Sequence, residues 1–297
     1  MSWQTIRVPA SSANLGPGFD SLGLALSIYL ECRFRPSTTL RIRALGADSN
    51  LISTGSDNLI WQIAQKTGAG TIELEIRNQI PIGKGLGSSA AAVVAGVVIG
   101  AQSAGLGWDR GRILDEAARI EGHPDNVAPS ILGGLVSAVI DCNGNAHAVR
   151  HRLHPEYRVA VVVPDFVLPT EESRQVLPRS YSREDAIFNI QRAALLVSAL
   201  STGTTDAFPT ALDDRLHQPY RFALVPGLEE MTRLRAPGLL GCALSGAGPS
   251  VLVFYQRGFE SVVELFRKTF AKHGHSAEIV YPEVPDSGYS IIIQSNE

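Results

Sequence analysis

The run Pro81-Ile-Gly-Lys-Gly-Leu-Gly-Ser-Ser-Ala-Ala carries the clearest chemistry in the chain. Gly83, Gly85 and Gly87 alternate in it, and it opens into a long apolar stretch. Glycine accepts positive φ and lets backbone N–H groups approach an anion closely. A helix start adds unpaired N–H groups and partial positive charge. Lys84 contributes a full charge, and Ser88 and Ser89 bring hydroxyls that cap a helix or ligate a metal. The run reads as a phosphate cradle; on its own it also fits a Gly-rich turn capping a core helix. Gly-x-x-x-x-Gly-Lys-Ser/Thr is absent, so this is not a Walker A loop. The glycine spacing, with no acid about 20 residues on, excludes a dinucleotide fingerprint.

Three further runs carry polar groups in constrained backbone. Pro9-Ala-Ser-Ser-Ala-Asn-Leu-Gly-Pro-Gly-Phe-Asp places Asn14 and Asp20 around Gly16 and Gly18. An Asn/Asp pair suits a substrate ammonium or hydroxyl, or else an Asx turn. Glu121-Gly-His-Pro-Asp-Asn-Val-Ala-Pro gathers Glu, His, Asp and Asn. It is either a metal and substrate loop or the polar end of a helix. Leu244-Ser-Gly-Ala-Gly-Pro-Ser is a small-residue loop between apolar strands, which a ligand can approach or which simply turns the chain.

The elements that must hold these loops follow from periodicity. Thr5–Pro9, Leu24–Phe34, Leu40–Ala44, Thr71–Arg77 and Gly133–Ile140 read as strands; Ile72, Leu74 and Ile76 alternate with Glu73, Glu75 and Arg77. Asp57–Lys66, with Asp57 as N-cap, Ala90–Ala104 and Asp109–Glu121 read as helices, and loop is expected from Ser11 to Leu22. Beyond a turn at Asp141–Asn145, strands are expected at Val159–Val163, Leu239–Leu244, Val251–Tyr255 and Ser290–Gln294. Helices are expected at Arg183–Leu200 and Phe259–His273. Without a steady βαβ rhythm this is an α+β chain, with a boundary at 152/153 dividing 1–152 from 153–297.

Composition sets the outer bounds. The chain has 297 residues, 44% apolar and 19% charged, which supplies a core and excludes a mostly disordered protein. A net charge of −3 argues against a broad nucleic-acid binder. Cys32, Cys142 and Cys242 are far apart, with no CxxC or Cys/His cluster, and no secretory signal precedes Glu31. A reducing cytoplasm fits. The apolar part of Gly85–Trp108 is about a dozen residues, short of the roughly 20 that span a bilayer, so a buried helix is expected.

Together, in this order, the four runs resemble the GHMP kinase superfamily, named for galacto-, homoserine, mevalonate and phosphomevalonate kinases. Pro81–Ala91 matches its phosphate loop and Ser245–Ser250 its late Gly-rich motif. Ala13–Asp20 and His123–Pro129 are most similar to the homoserine kinase branch. So are Gln175-Val-Leu-Pro, Asn189-Ile-Gln-Arg and His217-Gln-Pro-Tyr-Arg, and the likeness runs from about Pro9 to Tyr255.

The resemblance implies an N-terminal ATP-binding domain like ribosomal protein S5 domain 2, a C-terminal ferredoxin-like domain and a site between them. The implied reaction is ATP-dependent phosphorylation of L-homoserine on its hydroxyl, in threonine synthesis. The cofactors would be ATP and Mg²⁺, and a homodimer is the family expectation. On that basis Pro81, Ile82, Gly83, Lys84, Gly85, Leu86, Gly87, Ser88, Ser89, Ala90 and Ala91 would wrap the triphosphate. Asn58 would join the adenine pocket. Ser88 and Glu121 would hold the metal, with Glu116 or Asp115 as alternatives to Glu121. Asn14, Asp20, His123, Arg192, Arg221 and Gly246 would bind the amino acid, the arginines as bidentate carboxylate clamps. Asn126 stands where several relatives place a catalytic aspartate. It cannot be a base, so Asn126, Lys84 and Ser88 are expected to act by positioning and charge neutralisation, with Asp125 and Asp20 as alternative bases. A mevalonate-type or sugar kinase and a non-catalytic GHMP-fold module are the rival readings.

Overall fold

Alternating side chains build the first half. Ile72, Leu74 and Ile76 turn inward and are 1%, 0% and 0% exposed. Glu73 and Glu75 turn outward and pair with Arg35 and Arg33 of the neighbouring strand at 2.6 and 3.1 Å. The computed structural model describes residues 2–46 and 48–293. The first half runs β1 (Gln4–Ala13), β2 (Leu22–Pro36), β3 (Arg41–Leu45), α1 (Leu59–Thr67), β4 (Ile72–Asn78), α2 (Ser88–Ser103), α3 (Arg110–Glu121), α4 (Val127–Leu132), β5 (Leu135–Ile140) and β6 (Ala146–His151). The second runs β7 (Tyr157–Pro164), α5 (Thr170–Gln175), α6 (Arg183–Thr202), α7 (Gln218–Arg221), α8 (Leu228–Thr232), β8 (Leu239–Leu244), β9 (Val251–Gln256), α9 (Glu264–Lys272), β10 (Ala277–Val280) and β11 (Ser290–Ile293).

The fold is α+β, in two sheets. The first has the order β11-β1-β2-β4-β3, with the β5–β6 hairpin attached through β2; among the described residues only β3 and β4 run parallel. The second is antiparallel in the order β10-β7-β9-β8, which numbered along the chain is 4-1-3-2, the ferredoxin-like arrangement. Val159, Val161, Leu252 and Phe254 face the main core, while Ala160, Val162, Val251 and Val253 face a second cluster under α8 and α9. Both faces are covered, which is why this sheet reads as solid apolar runs instead of alternation.

The sheets part between β6 and β7. The tail departs from a simple division into 1–152 and 153–297, because β11 returns to pair with β1, from Gln4↔Ile293 to Arg7↔Ser290. Gln294, expected to end that strand, lies outside the described residues. Ser11 and Ser12, expected as loop, continue β1 and pair with Ala25 and Leu24. Asn58, not Asp57, caps α1: its Oδ1 accepts the Trp61 N–H at 3.1 Å. The expected helix at Phe259–His273 opens with a 3-10 turn, Glu260–Val263, before α9. The short α4, α5, α7, α8, β6 and β10 were not anticipated, because four to six residues leave no legible period. Among the described residues no helix is long and apolar enough to cross a membrane.

α2 sits close against α1 because Gly96 and Gly100 present no side chain there. A Cβ on Gly96 would lie 2.9 Å from the Ile60 carbonyl oxygen, and one on Gly100 2.4 Å from the Thr67 Cβ. Gly100→Leu is therefore expected to lower unfolding stability by about 1–3 kcal/mol in urea titration, the usual cost of overpacking.

Candidate active site

The Pro81–Gly87 loop turns its carbonyls away from the cleft. Those of Gly83, Lys84 and Leu86 accept N–H groups from Leu168, Ser250 and Ser11 at 3.3, 3.3 and 3.2 Å. The Gly85 carbonyl accepts the Ser245 hydroxyl at 2.7 Å. Gly83, Gly85 and Gly87 have φ of +71°, +74° and +67°, the left-handed conformation that makes this turning possible. The loop delivers the chain into α2 at Ser88, so loop amides and the unpaired amides of the helix start share one mouth. Among the described residues none of the amides from Gly83 to Ala90 donates to another loop or side chain. Such a cradle of unpaired amides can hold an anion.

The cradle lines one end of a pocket of about 430 Å³. Leu30, Leu51, Ile52, Leu59 and Ile76 give the pocket an apolar recess, and Asp20, His123, Arg174 and Arg221 give it a charged cluster. Three loops meet at the pocket. The Asn14 Oδ1 accepts the Asp20 N–H at 3.0 Å, and its Nδ2 donates to the Gly246 carbonyl at 2.9 Å. The Gly246 N–H donates to the Ala13 carbonyl, and the Ser12 hydroxyl donates to that of Ser245, whose own hydrogen goes to Gly85. Asn14, Leu15 and Asp20 have positive φ, a strained course held by these bonds. Asn14 and Gly246 thus serve as fasteners whose polar atoms are already engaged.

In the charged cluster, Asp20 pairs with Arg174 at 2.8 Å. His123 Nδ1 lies 2.9 Å from the Asp125 carboxylate, and that hydrogen bond, against burial, raises the imidazole's pKa. Burial raises the Glu121 carboxyl, partly offset by His123. Arg221 is 1% exposed, and burial, with Arg174 adding repulsion, brings it down to about 10, still charged at neutral pH. Ligand-capable atoms of Asp20, His123 and Asp125 lie within 4.8 Å of one another, but Asp20 is matched to Arg174 and Asp125 to His123. The Ser88 hydroxyl and the Glu121 carboxylate line the pocket beside the cradle and are hard oxygen donors of the kind Mg²⁺ prefers. Asn126 sits at the cradle too: its Oδ1 accepts the Ser11 hydroxyl at 2.9 Å, which fixes the amide.

Several expected residues are placed differently. Arg192 is outside the pocket, on α6, its guanidinium 3.1 Å from the Phe188 ring centroid. Ala91 is fully buried on the core side of α2. The Lys84 ammonium donates to the Pro164 and Phe166 carbonyls at 2.8 and 2.7 Å, so it ties the cradle to the end of β7. Asn58 lines the recess, but its amide is spent on capping α1 and on the Ser53 carbonyl. Glu116 pairs with Arg119 and Asp115 accepts the Ala146 N–H, both away from the pocket. Arg221 gives Nε–H to Ser173 and both Nη1 hydrogens to His217 and Gly246, so that among the described residues only Nη2 has no partner. It cannot make the expected two-nitrogen fork. Arg174 was missed; it stands next to the Gln175-Val-Leu-Pro run, and a basic residue flanking a marked motif was the available signal.

This fold and cradle suit an enzyme that handles a nucleotide beside a small molecule. The chain belongs to the GHMP kinase family: the family model for the GHMP kinases N terminal domain matches residues 56–134, and that for GHMP kinases C terminal matches residues 196–286. It is 60% identical to a homoserine kinase of Solibacter usitatus, over 98% of this chain and 97% of that one. It is 43% identical to a homoserine kinase of Deinococcus radiodurans, over 93% and 92%. The crystal structure of homoserine kinase from Cytophaga hutchinsonii superposes with a TM-score of 0.86 at 25% identity, covering 98% of each chain. Mevalonate diphosphate decarboxylase from Staphylococcus aureus shares the fold at a TM-score of 0.61 and 15% identity, with 98% of each chain covered.

A Cβ on Gly87 would lie 2.1 Å from the Ser11 hydroxyl, at a φ of +67°. Gly87→Ala is expected to weaken ATP binding at least about tenfold by calorimetry, the worth of one lost charge-assisted hydrogen bond in the cradle.

Proposed function

We propose that this protein transfers the γ-phosphoryl group of ATP to the side-chain hydroxyl of L-homoserine, giving ADP and O-phospho-L-homoserine. One observation carries the reading. A single pocket joins an anion cradle to an end that offers a carboxylate, Asp20, and two guanidinium groups, Arg174 and Arg221. An amino acid presents an ammonium and a carboxylate, the complementary pair. The identity to homoserine kinases of other bacteria supports the same substrate.

The amides from Gly83 to Ala90 hold the triphosphate, and the apolar recess takes the base. Mg²⁺ held by Ser88 and Glu121 would neutralise charge on the transferring group. Asp20 takes the ammonium, Arg174 and Nη2 of Arg221 the carboxylate, and His123 the polar face between. The hydroxyl oxygen bonds to phosphorus as the bond to the ADP oxygen breaks. Phosphoryl transfer through a loose transition state needs little early deprotonation. Asn126 cannot accept the proton, and Asp125 is matched to His123, so the proton ends on the transferred phosphate. Lys84 acts at a distance, by seating the cradle.

Coupled ADP release with Mg²⁺, ATP and homoserine tests the reading. Homoserine is expected to turn over far faster than mevalonate or galactose; equal or greater turnover with either would replace the substrate. Glu121 gives a second test. Its raised pKa means that the unliganded protein loses stability as pH rises from the ordinary carboxylate range through the raised value. Glu121→Gln is expected to cut turnover about 100-fold or more. Without metal its melting temperature at pH 7 should stand above the native one, the difference closing toward pH 4.

A further inference from the structure

One of the three groups that orient Arg221 is a histidine that no substrate can reach. His217 is 0% exposed. Its Nε2 lies 2.7 Å from the Gly16 carbonyl oxygen, which only accepts, so Nε2 carries a proton. Its Nδ1 lies 2.9 Å from Nη1 of Arg221, which only donates, so Nδ1 carries none. The two partners specify one state, the neutral ring protonated on Nε2. A second proton would set an N–H against the guanidinium.

The remaining surroundings agree. Asp214, 3.5 Å from Nε2, accepts the N–H groups of Leu216, His217 and Gln218 and the Asn189 amide. Asp20, Arg174 and Tyr181 complete the charged and titratable groups around Arg221. Burial lowers the imidazole's pKa and Arg221 adds to this, against Asp214 and Asp20. Phe19 stacks on the ring at 5.3 Å between centroids.

Resting on the amino-acid substrate proposed above, we infer that His217 is a positioning residue for carboxylate recognition. Its neutral Nδ1 takes one Nη1 hydrogen of Arg221, so that Nη2 alone meets the substrate, and its Nε2–H fastens that guanidinium to the Gly16 carbonyl. Gly16 belongs to the loop that carries Asn14 and Asp20. One ring therefore sets the spacing between the carboxylate that takes the ammonium and the guanidinium that takes the carboxylate.

The test compares homoserine with 3-amino-1-propanol, which keeps the ammonium and hydroxyl and lacks the carboxylate. His217→Phe keeps a stacking ring and loses the acceptor. It is expected to reduce the preference for homoserine in kcat/KM by about 10- to 100-fold, the worth of hydrogen bonds to a charged group, with KM for ATP within about twofold. His217→Asn, whose Oδ1 stands near the place of Nδ1, should recover most of the preference. An unchanged preference in a folded His217→Phe protein overturns the inference. A native enzyme with no preference for homoserine instead overturns the substrate reading. The tautomer is read on the native protein by two-bond ¹H–¹⁵N spectroscopy, whether or not the variants fold. Proton on Nε2 only is expected at pH 7; a proton on Nδ1 overturns the inference.

Discussion

The structure depends on where the backbone of one short loop sends its carbonyls. A loop that presents amides to an anion must satisfy its carbonyl oxygens on the opposite side, and buried ones left unpaired are costly. Here the opposite side is supplied by β1, by the loop after β8 and by the segment after β7. The cradle is therefore assembled from both sheets at once. Its three alternating glycines are required by crowding as well as by φ: a Cβ on Gly85 would stand 2.2 Å from the Ser245 carbonyl oxygen.

The same economy governs the charged part of the pocket. Asn14, Ser245 and Gly246 look like contact residues but spend their polar atoms on one another's loops. This leaves few groups to face a substrate, and those few are strongly charged. Arg174 and Asp20 are matched to each other, which compensates two opposite charges at the pocket wall.

Much of this was legible in the residues. The Gly-rich turn into a helix, the alternation of β4, the helices α3 and α6 and the α+β class follow from local period and turn chemistry. What was not legible depends on distance along the chain. Arg192 and Arg221 are alike as letters; only packing shows one lying on Phe188 and the other aimed at the pocket. Lys84 sits inside the phosphate motif, yet its ammonium is drawn to carbonyls of residues 164 and 166, contacts no local pattern encodes. Asp57 and Asn58 are adjacent candidates for one cap, and the choice fell to the residue whose oxygen meets the Trp61 amide.

The return of the last strand to β1 has a mechanical consequence. The polypeptide crosses between the two sheets twice, once after β6 and again before β11, so the cleft is spanned by a pair of tethers. With the shared core and the bonds that seat the cradle on both halves, these two covalent links hold the sheets in register across the cleft.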